Sequence, residues 1–145
     1  MMRRSIFWGA LAILFLDQAT KMYIRTLGKE TIKIIPGAFH ITPVTNYGIG
    51  FGLLQGLVPF VIAATIFIIM GLCYYLRNMP ETPLVTLSFA LLLGGSVGNL
   101  IDRSVFGYVI DFLDFHIWPV FNIADSAVTV GGALLLFWLY REEHV

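Results

Sequence analysis

Asn99 and Asp102 stand three residues apart, and Asn122 and Asp125 repeat that spacing. Each amide can hydrogen-bond its own acid or a partner across a bundle, since residues at this spacing share one helix face. Asp17 and Lys21 are four apart and also share a face. They form either a helix-end salt bridge or a pair that orients a neighbouring site. Asp111 lies in Val109-Ile110-Asp111-Phe112, among apolar neighbours with no adjacent cation, whereas Asp102 has Arg103 beside it. Apolar surroundings raise a carboxyl pKa, and a nearby cation keeps the group ionised. Two carboxylates in one site split their titration, so that one holds a proton. That arrangement can activate water against an amide: one acid takes the water's proton and the other protonates the carbonyl oxygen. On these grounds Asp111 and Asp125 suit a dyad better than Asp102, which reads as an ion pair with Arg103.

Other chemistries find less support. Cys73 lies in an apolar run with no histidine near it, as a packing residue would. His40, His116 and His144 are scattered, with no His-Glu-x-x-His and no ligand spacing, so neither a zinc site nor any other metal is expected. A Ser126–Lys21 pair is conceivable, but Ser126 follows Asp125 and reads better as a helix-start residue. Asn46-Tyr47-Gly48-Ile49-Gly50-Phe51-Gly52 looks like a phosphate loop but lacks the lysine and the strand–helix frame.

The elements that carry these residues follow from composition. Of 145 residues, 58% are hydrophobic and 12% charged, and mean hydropathy is +0.83. A soluble domain of this length cannot bury that much apolar surface. Nine cations balance nine acids, so nucleic acid is not an expected partner. One cysteine excludes an intrachain disulfide. The expectation is an all-α membrane protein, one domain over 1–145, with four transmembrane helices at about 5–24, 57–76, 83–101 and 121–140. The first is not a cleavable signal, because no small-residue cleavage site follows it.

Residues 25–56 and 102–120 would then lie on one side of the membrane. Stretches 31–35 and 38–45, rich in β-branched and aromatic residues and split by Pro36-Gly37, read as a β-ribbon. Phe51-Gly52-Leu53-Leu54 could dip into the interface. All five aspartates, Asp114 included, fall at one membrane face, with Glu81, Glu142 and Glu143 at the other. The count of cations does not decide orientation, but Arg3-Arg4 and Arg77 favour cytoplasmic termini. Gly94 and Gly98 bring the third span close to a neighbour.

Five motifs, in order, resemble those of the bacterial lipoprotein signal peptidases (signal peptidase II). They are Asp17-Gln18-Ala19-Thr20-Lys21, the Asn46–Gly52 stretch, Gly94-Gly95-Ser96-Val97-Gly98-Asn99-Leu100-Ile101-Asp102-Arg103, Val109-Ile110-Asp111-Phe112, and Phe121-Asn122-Ile123-Ala124-Asp125. The resemblance implies an inner-membrane aspartic endopeptidase that cuts a prolipoprotein before a diacylglyceryl cysteine. The catalytic pair would be Asp111 and Asp125. Substrate-binding or supporting residues would be Asp17, Lys21, Asn46, Gly48, Asn99, Asp102, Arg103, Asn122 and Ala124. It also implies an extracytoplasmic β-cradle with a short helix, contact with membrane lipids, inhibition by cyclic peptides such as globomycin, and no cofactor. Gly50, often Ala in the family, and the short connection from Asp111 to Asp125 are departures. Two rivals stand beside this reading: an ion-coupled transporter subunit, which four short spans without an inverted repeat scarcely accommodate, and a structural subunit whose acids only pair across helices.

Overall fold

Helix α3 (Pro83–Phe106) is the element around which the others assemble. Its start is fixed by Thr82, whose hydroxyl accepts from Val85 N at 3.2 Å, and by Pro83 in the first turn. Gly107 ends it at φ 75°, with its N–H on the Arg103 carbonyl. The computed structural model describes residues 2–48 and 56–144. In chain order the other elements are α1 (Met2–Thr26), β1 (Ile32–Ile35), β2 (Phe39–Asn46), α2 (Val58–Leu76), β3 (Val109–Asp114) and α4 (Ile123–Glu143). Half of the most apolar stretch of α3 is buried, against 6% for α2 and 17% for α4.

Small residues let α1 and α4 close on α3. A Cβ on Gly94 would stand 2.7 Å from the Ala10 carbonyl of α1, and one on Gly95 would stand 2.5 Å from the Ala124 carbonyl of α4. On Gly98 it would meet Asp17 Oδ2 at 2.6 Å. Between apolar helices in lipid such close backbone approach supplies the packing energy. Apolar side chains left outside, among them Trp8 and Phe15 of α1, Phe60 and Phe67 of α2, and Leu136 and Phe137 of α4, form an apolar exterior.

Among the described residues three helices, α2, α3 and α4, are long and apolar enough to cross a membrane. Helix α1 has 25 residues but carries charge at its start, middle and end. The described chain is therefore mostly helical with three apolar spans and a small sheet.

That sheet is antiparallel, in the order β1-β2-β3. The expected ribbon is β1 and β2, turned at Gly37 (φ 77°), with Ala38 N bonded to the Ile35 carbonyl. The third strand corrects the reading of 102–120 as a plain connection. Val109–Leu113 shows no polar alternation because its first four residues are buried, with Ile110 and Phe112 packed beside Ile24 of α1. Strand β3 pairs β2 with Val44 opposite Asp111 and His40 opposite Asp114. The register shifts between Ile41 and Val44, where Pro43 lacks a donor. Helix α3 also runs to Phe106, past the expected end at 101, because Asp102 and Arg103 are buried in helix rather than exposed in a loop. The glycine-rich motif beyond Gly48 and the interfacial reading of Phe51–Leu54 lie outside the described residues.

Candidate active site

Asp17 and Lys21 of α1, Asn99, Asp102 and Arg103 of α3, Asp111 of β3, and Asn122 and Asp125 at the start of α4 meet at one end of the helix bundle. Helix α1 contributes Asp17 and Lys21, both 0% exposed. Lys21 Nζ sits 2.8 Å from Asp17 Oδ2 and 2.7 Å from Asp102 Oδ2, and donates to Asn99 Oδ1 at 2.9 Å. Arg25, one further turn along α1, donates to Asp102 Oδ1 at 3.0 Å and lies 3.9 Å over the Phe106 ring. Two acids thus face two cations.

This corrects the pairing of Asp102 with Arg103. Adjacent helical residues point about 100° apart and do not face each other. Asp102 turns to α1, whereas Arg103 donates to the Gly48 carbonyl at 2.8 Å. Gly48 N in turn donates to Asn46 Oδ1 at 2.9 Å, holding the chain just after β2 in a tight turn.

The start of α4 is built by its own sequence. Asn122 caps the helix: its Oδ1 accepts from Asp125 N at 2.8 Å, and its own N–H donates to Asp125 Oδ2 at 3.3 Å. This reciprocal cap fixes Asp125 in the first turn, where a carboxylate suits the helix dipole. Asp17 Oδ1 accepts from Ala124 N at 2.9 Å, so the α1 acid secures the next free amide. Ala124 is fully buried and its Cβ faces Gly98.

Asp111 and Asp125 receive a different treatment from Asp17 and Asp102. Asp111 accepts from Asn122 Nδ2 at 2.7 Å and Asn46 Nδ2 at 2.8 Å. Asp125 accepts from Asn99 Nδ2 at 2.8 Å. Asn122 also reaches Asn99 Oδ1 at 3.2 Å, which joins the amides into one network. One asparagine, Asn122, therefore touches both acids, and neither acid has a cation within salt-bridge distance among the described residues. Burial, and then the charge of Asp125, push Asp111 up to about 6, against which the Asn46 and Asn122 amides and Lys21 act. Both acids line one cavity of about 560 Å³, together with Asn46, Asn99 and Arg103 and the apolar Val44, Ile68 and Val128.

Residues 9–141 match the family described as signal peptidase (SPase) II. The chain belongs to the signal peptidase II family. It is 46% identical over 137 residues to a lipoprotein signal peptidase of Halothermothrix orenii, covering 93% of this chain and 94% of that protein. With that of Burkholderia mallei it shares 39% over 141 residues, 88% of this chain and 82% of the other. Two bacterial membrane enzymes solved by the in meso method superpose on it. One gives a TM-score of 0.90 at 32% identity over 95% of this chain and 88% of that one. The other gives 0.84 at 33% over 92% and 91%. With its apolar helices, this signal peptidase II family member is a multi-pass membrane protein.

The structure also gathers residues that the sequence reading left aside. Gln18 donates to Asp17 Oδ2 at 3.2 Å and to the Gly98 carbonyl at 3.3 Å, and Arg25 completes the charge cluster. Both carry a readable signal: Gln18 sits inside the first motif, and Arg25 follows Asp17 by eight and Lys21 by four. Thr65 and Ile68, which bring α2 to the cavity, carry none. Ser126 Oγ bonds the Asn122 carbonyl of its own helix, so no Ser–Lys pair exists here. Cys73 is exposed on α2. The histidines correct the expectation of scatter: pairing of β2 with β3 brings His116 Nε2 to 3.0 Å from His40 Nδ1, beside Asp114.

Proposed function

We propose that this chain is an aspartic endopeptidase that removes signal peptides from prolipoproteins, with Asp111 and Asp125 as its catalytic pair. The supporting observation is that Asn122 bonds both carboxylates where they face one cavity. A water between the acids gives its proton to the ionised one, and its oxygen attacks the scissile carbonyl. The protonated acid gives its proton to the carbonyl oxygen. The tetrahedral adduct collapses as the amide nitrogen takes a proton back from the dyad. Asn46, Asn99 and Asn122 hold the acids in register, and Arg103 anchors the chain at Gly48 over the cavity. Asp17, Lys21, Asp102 and Ala124 position the start of α4.

In this reading the cut falls just before a diacylglyceryl cysteine, whose acyl chains lie along the apolar exterior in contact with membrane lipid. Helix α1 is the fourth span, its charges neutralised within the bundle. The single domain sits in the bacterial inner membrane with cytoplasmic termini and the dyad near the outer face. Cyclic peptides of the globomycin kind occupy the dyad. The test is incubation of purified protein with diacylglyceryl prolipoprotein and with the unmodified form. Cleavage should require the lipid, since each buried CH₂ contributes about 0.8 kcal/mol. Equal rates on both substrates would sink the lipid requirement, and wild-type rates from Asp111→Asn would sink the dyad.

A further inference from the structure

We propose that His40, Asp114 and His116 form a binding site for a divalent transition metal of the zinc class, separate from the aspartate pair. His40 on β2 stands opposite Asp114 on β3 in the ladder, so their side chains rise from the same face of the sheet. His116 follows two residues later at φ 62°, the one non-glycine residue with positive φ among those described. That left-handed turn swings its ring back over the strand pair. It is held by His116 N, which donates to Asp114 Oδ1 at 2.9 Å. Strained backbone of this kind persists where the surroundings over-determine it, and it concentrates at functional positions.

The ligand atoms are already grouped. His40 Nδ1 and His116 Nε2 are 3.0 Å apart, and His116 meets Asp114 Oδ1 at 3.4 Å through its other ring nitrogen, Nδ1. The three ligand atoms all lie within 4.8 Å of one another. Nitrogen and oxygen ligands bind zinc at about 2.0–2.2 Å, so atoms around one ion stand within about 4.4 Å of each other. Only a small contraction separates the cluster from that condition. Two imidazoles and one carboxylate are a donor set that suits zinc, copper and nickel rather than calcium or magnesium. Thr42 Oγ1 donates to Asp114 Oδ2 at 2.9 Å and aims the carboxylate from behind, as an outer-shell partner does. His40 Nε2 is buried with no hydrogen-bond partner among the described residues, so the ring's hydrogen bond is the one its Nδ1 makes with His116 Nε2. The side chain of His116 is 40% exposed, which gives the ion an entry path and leaves room for water to complete its shell.

Bound metal would tie β2 to the chain leaving β3, two residues before Trp118 on the cavity wall. It would therefore brace one rim of the cavity without touching Asp111 or Asp125.

The test uses the full chain without a histidine tag, purified in detergent and titrated with zinc chloride by calorimetry. One equivalent should bind. His40→Gln and His116→Asn, the latter tolerant of positive φ, should each weaken binding by more than the 10–100-fold typical of losing an outer-shell partner. Zinc should raise the melting temperature of the wild type and not of the double variant. Cobalt added to the wild type should give a visible spectrum of nitrogen–oxygen coordination, a readout that needs no variant. No zinc binding by the wild type, or undiminished binding by a folded double variant, overturns the site. None of these readouts depends on peptidase activity, so they stand apart from the aspartic reading.

Discussion

Two groups of carboxylates, all buried except the half-buried Asp125, lie side by side in this bundle and are stabilised in opposite ways. Asp17 and Asp102 face Lys21 and Arg25, two charges against two. Asp111 and Asp125 are held by the amides of Asn46, Asn99 and Asn122 instead. A buried ion needs an opposite charge or it gives up its own. The first group is compensated, so its removal is a matter of folding. The second is satisfied in hydrogen bonds but has no ion-pair partner among the described residues, and burial with the neighbouring Asp125 charge raises the pKa of Asp111. An acid raised in this way serves proton transfer better than stability. The same sequence feature, an Asn-x-x-Asp, occurs in both groups, and only the partner supplied by another element separates them.

The largest effect expected is on the uncompensated pair. Asp111→Asn and Asp125→Asn should each lower cleavage by at least about 10²–10⁴-fold, the range supplied by a general acid or base. The double variant should lose little more than either alone, because residues acting as a unit are not additive. Stability should move the other way. The carboxyl of Asp111 is raised from 3.8 to about 6 by folding, so the folded state binds the proton more tightly than the unfolded chain. Stability from this group is present below about pH 4 and is lost as pH rises through 6, a loss of about 3 kcal/mol at neutral pH. Asparagine cannot ionise, so denaturant titration at pH 7.5 should find Asp111→Asn more stable than the wild type. A less stable, inactive Asp111→Asn would place Asp111 among the structural acids.

The compensated group should behave as its mirror image. Lys21→Met leaves two acids facing Arg25 alone, and Asp102→Asn leaves two cations facing Asp17. Breaking one side of a buried pair costs about 3–5 kcal/mol. Both variants should therefore lose thermal stability, and Lys21→Met, which also removes a charge that favours the ionised form of Asp111 and a donor to Asn99, should lose activity beyond its folded fraction. The combination Lys21→Met with Asp102→Asn should lose clearly less than the two single losses added, because the two side chains form one ion pair. Strictly additive losses would mean that this pair is not the unit that holds the cluster together.

The comparison also marks what the sequence reveals and what it withholds. Four-residue spacing suffices for the Asp17–Lys21 contact, because a helix turn fixes it. The hairpin follows from Pro36-Gly37 between β-branched runs, and α2 from an unbroken apolar stretch. Strand β3 escapes because a segment buried along most of its length shows no alternation. Proximity in sequence pairs Asp102 with Arg103, yet helical geometry sends adjacent side chains apart and the partners come from α1. The cluster at His40 and His116 depends on a cross-strand register with no local signature. Motifs thus collect the candidate residues, while tertiary packing decides which acid meets a cation and which meets an amide.

The smallest effect, and the one that tests the comparison most finely, concerns Asn46. Its amide donates to Asp111 Oδ2 at 2.8 Å and favours the ionised form, so it holds the Asp111 pKa below where burial and Asp125 alone would set it. The free enzyme's kcat/KM should fall on the alkaline side as the dyad loses its last proton, and that limb belongs to the pair. Asn46→Ala removes the donor, so the limb should move to higher pH. The acidic cluster gives the contrast: Gln18→Ala, which removes a donor to Asp17, should leave the limb where it is while costing some stability. The measurement is the pH profile of kcat/KM on lipid-modified substrate for the three proteins. A limb that stays put in Asn46→Ala means that Asp111 is not the group being titrated. A limb that moves equally in Gln18→Ala means that the two groups of acids titrate as one, and the division between them fails.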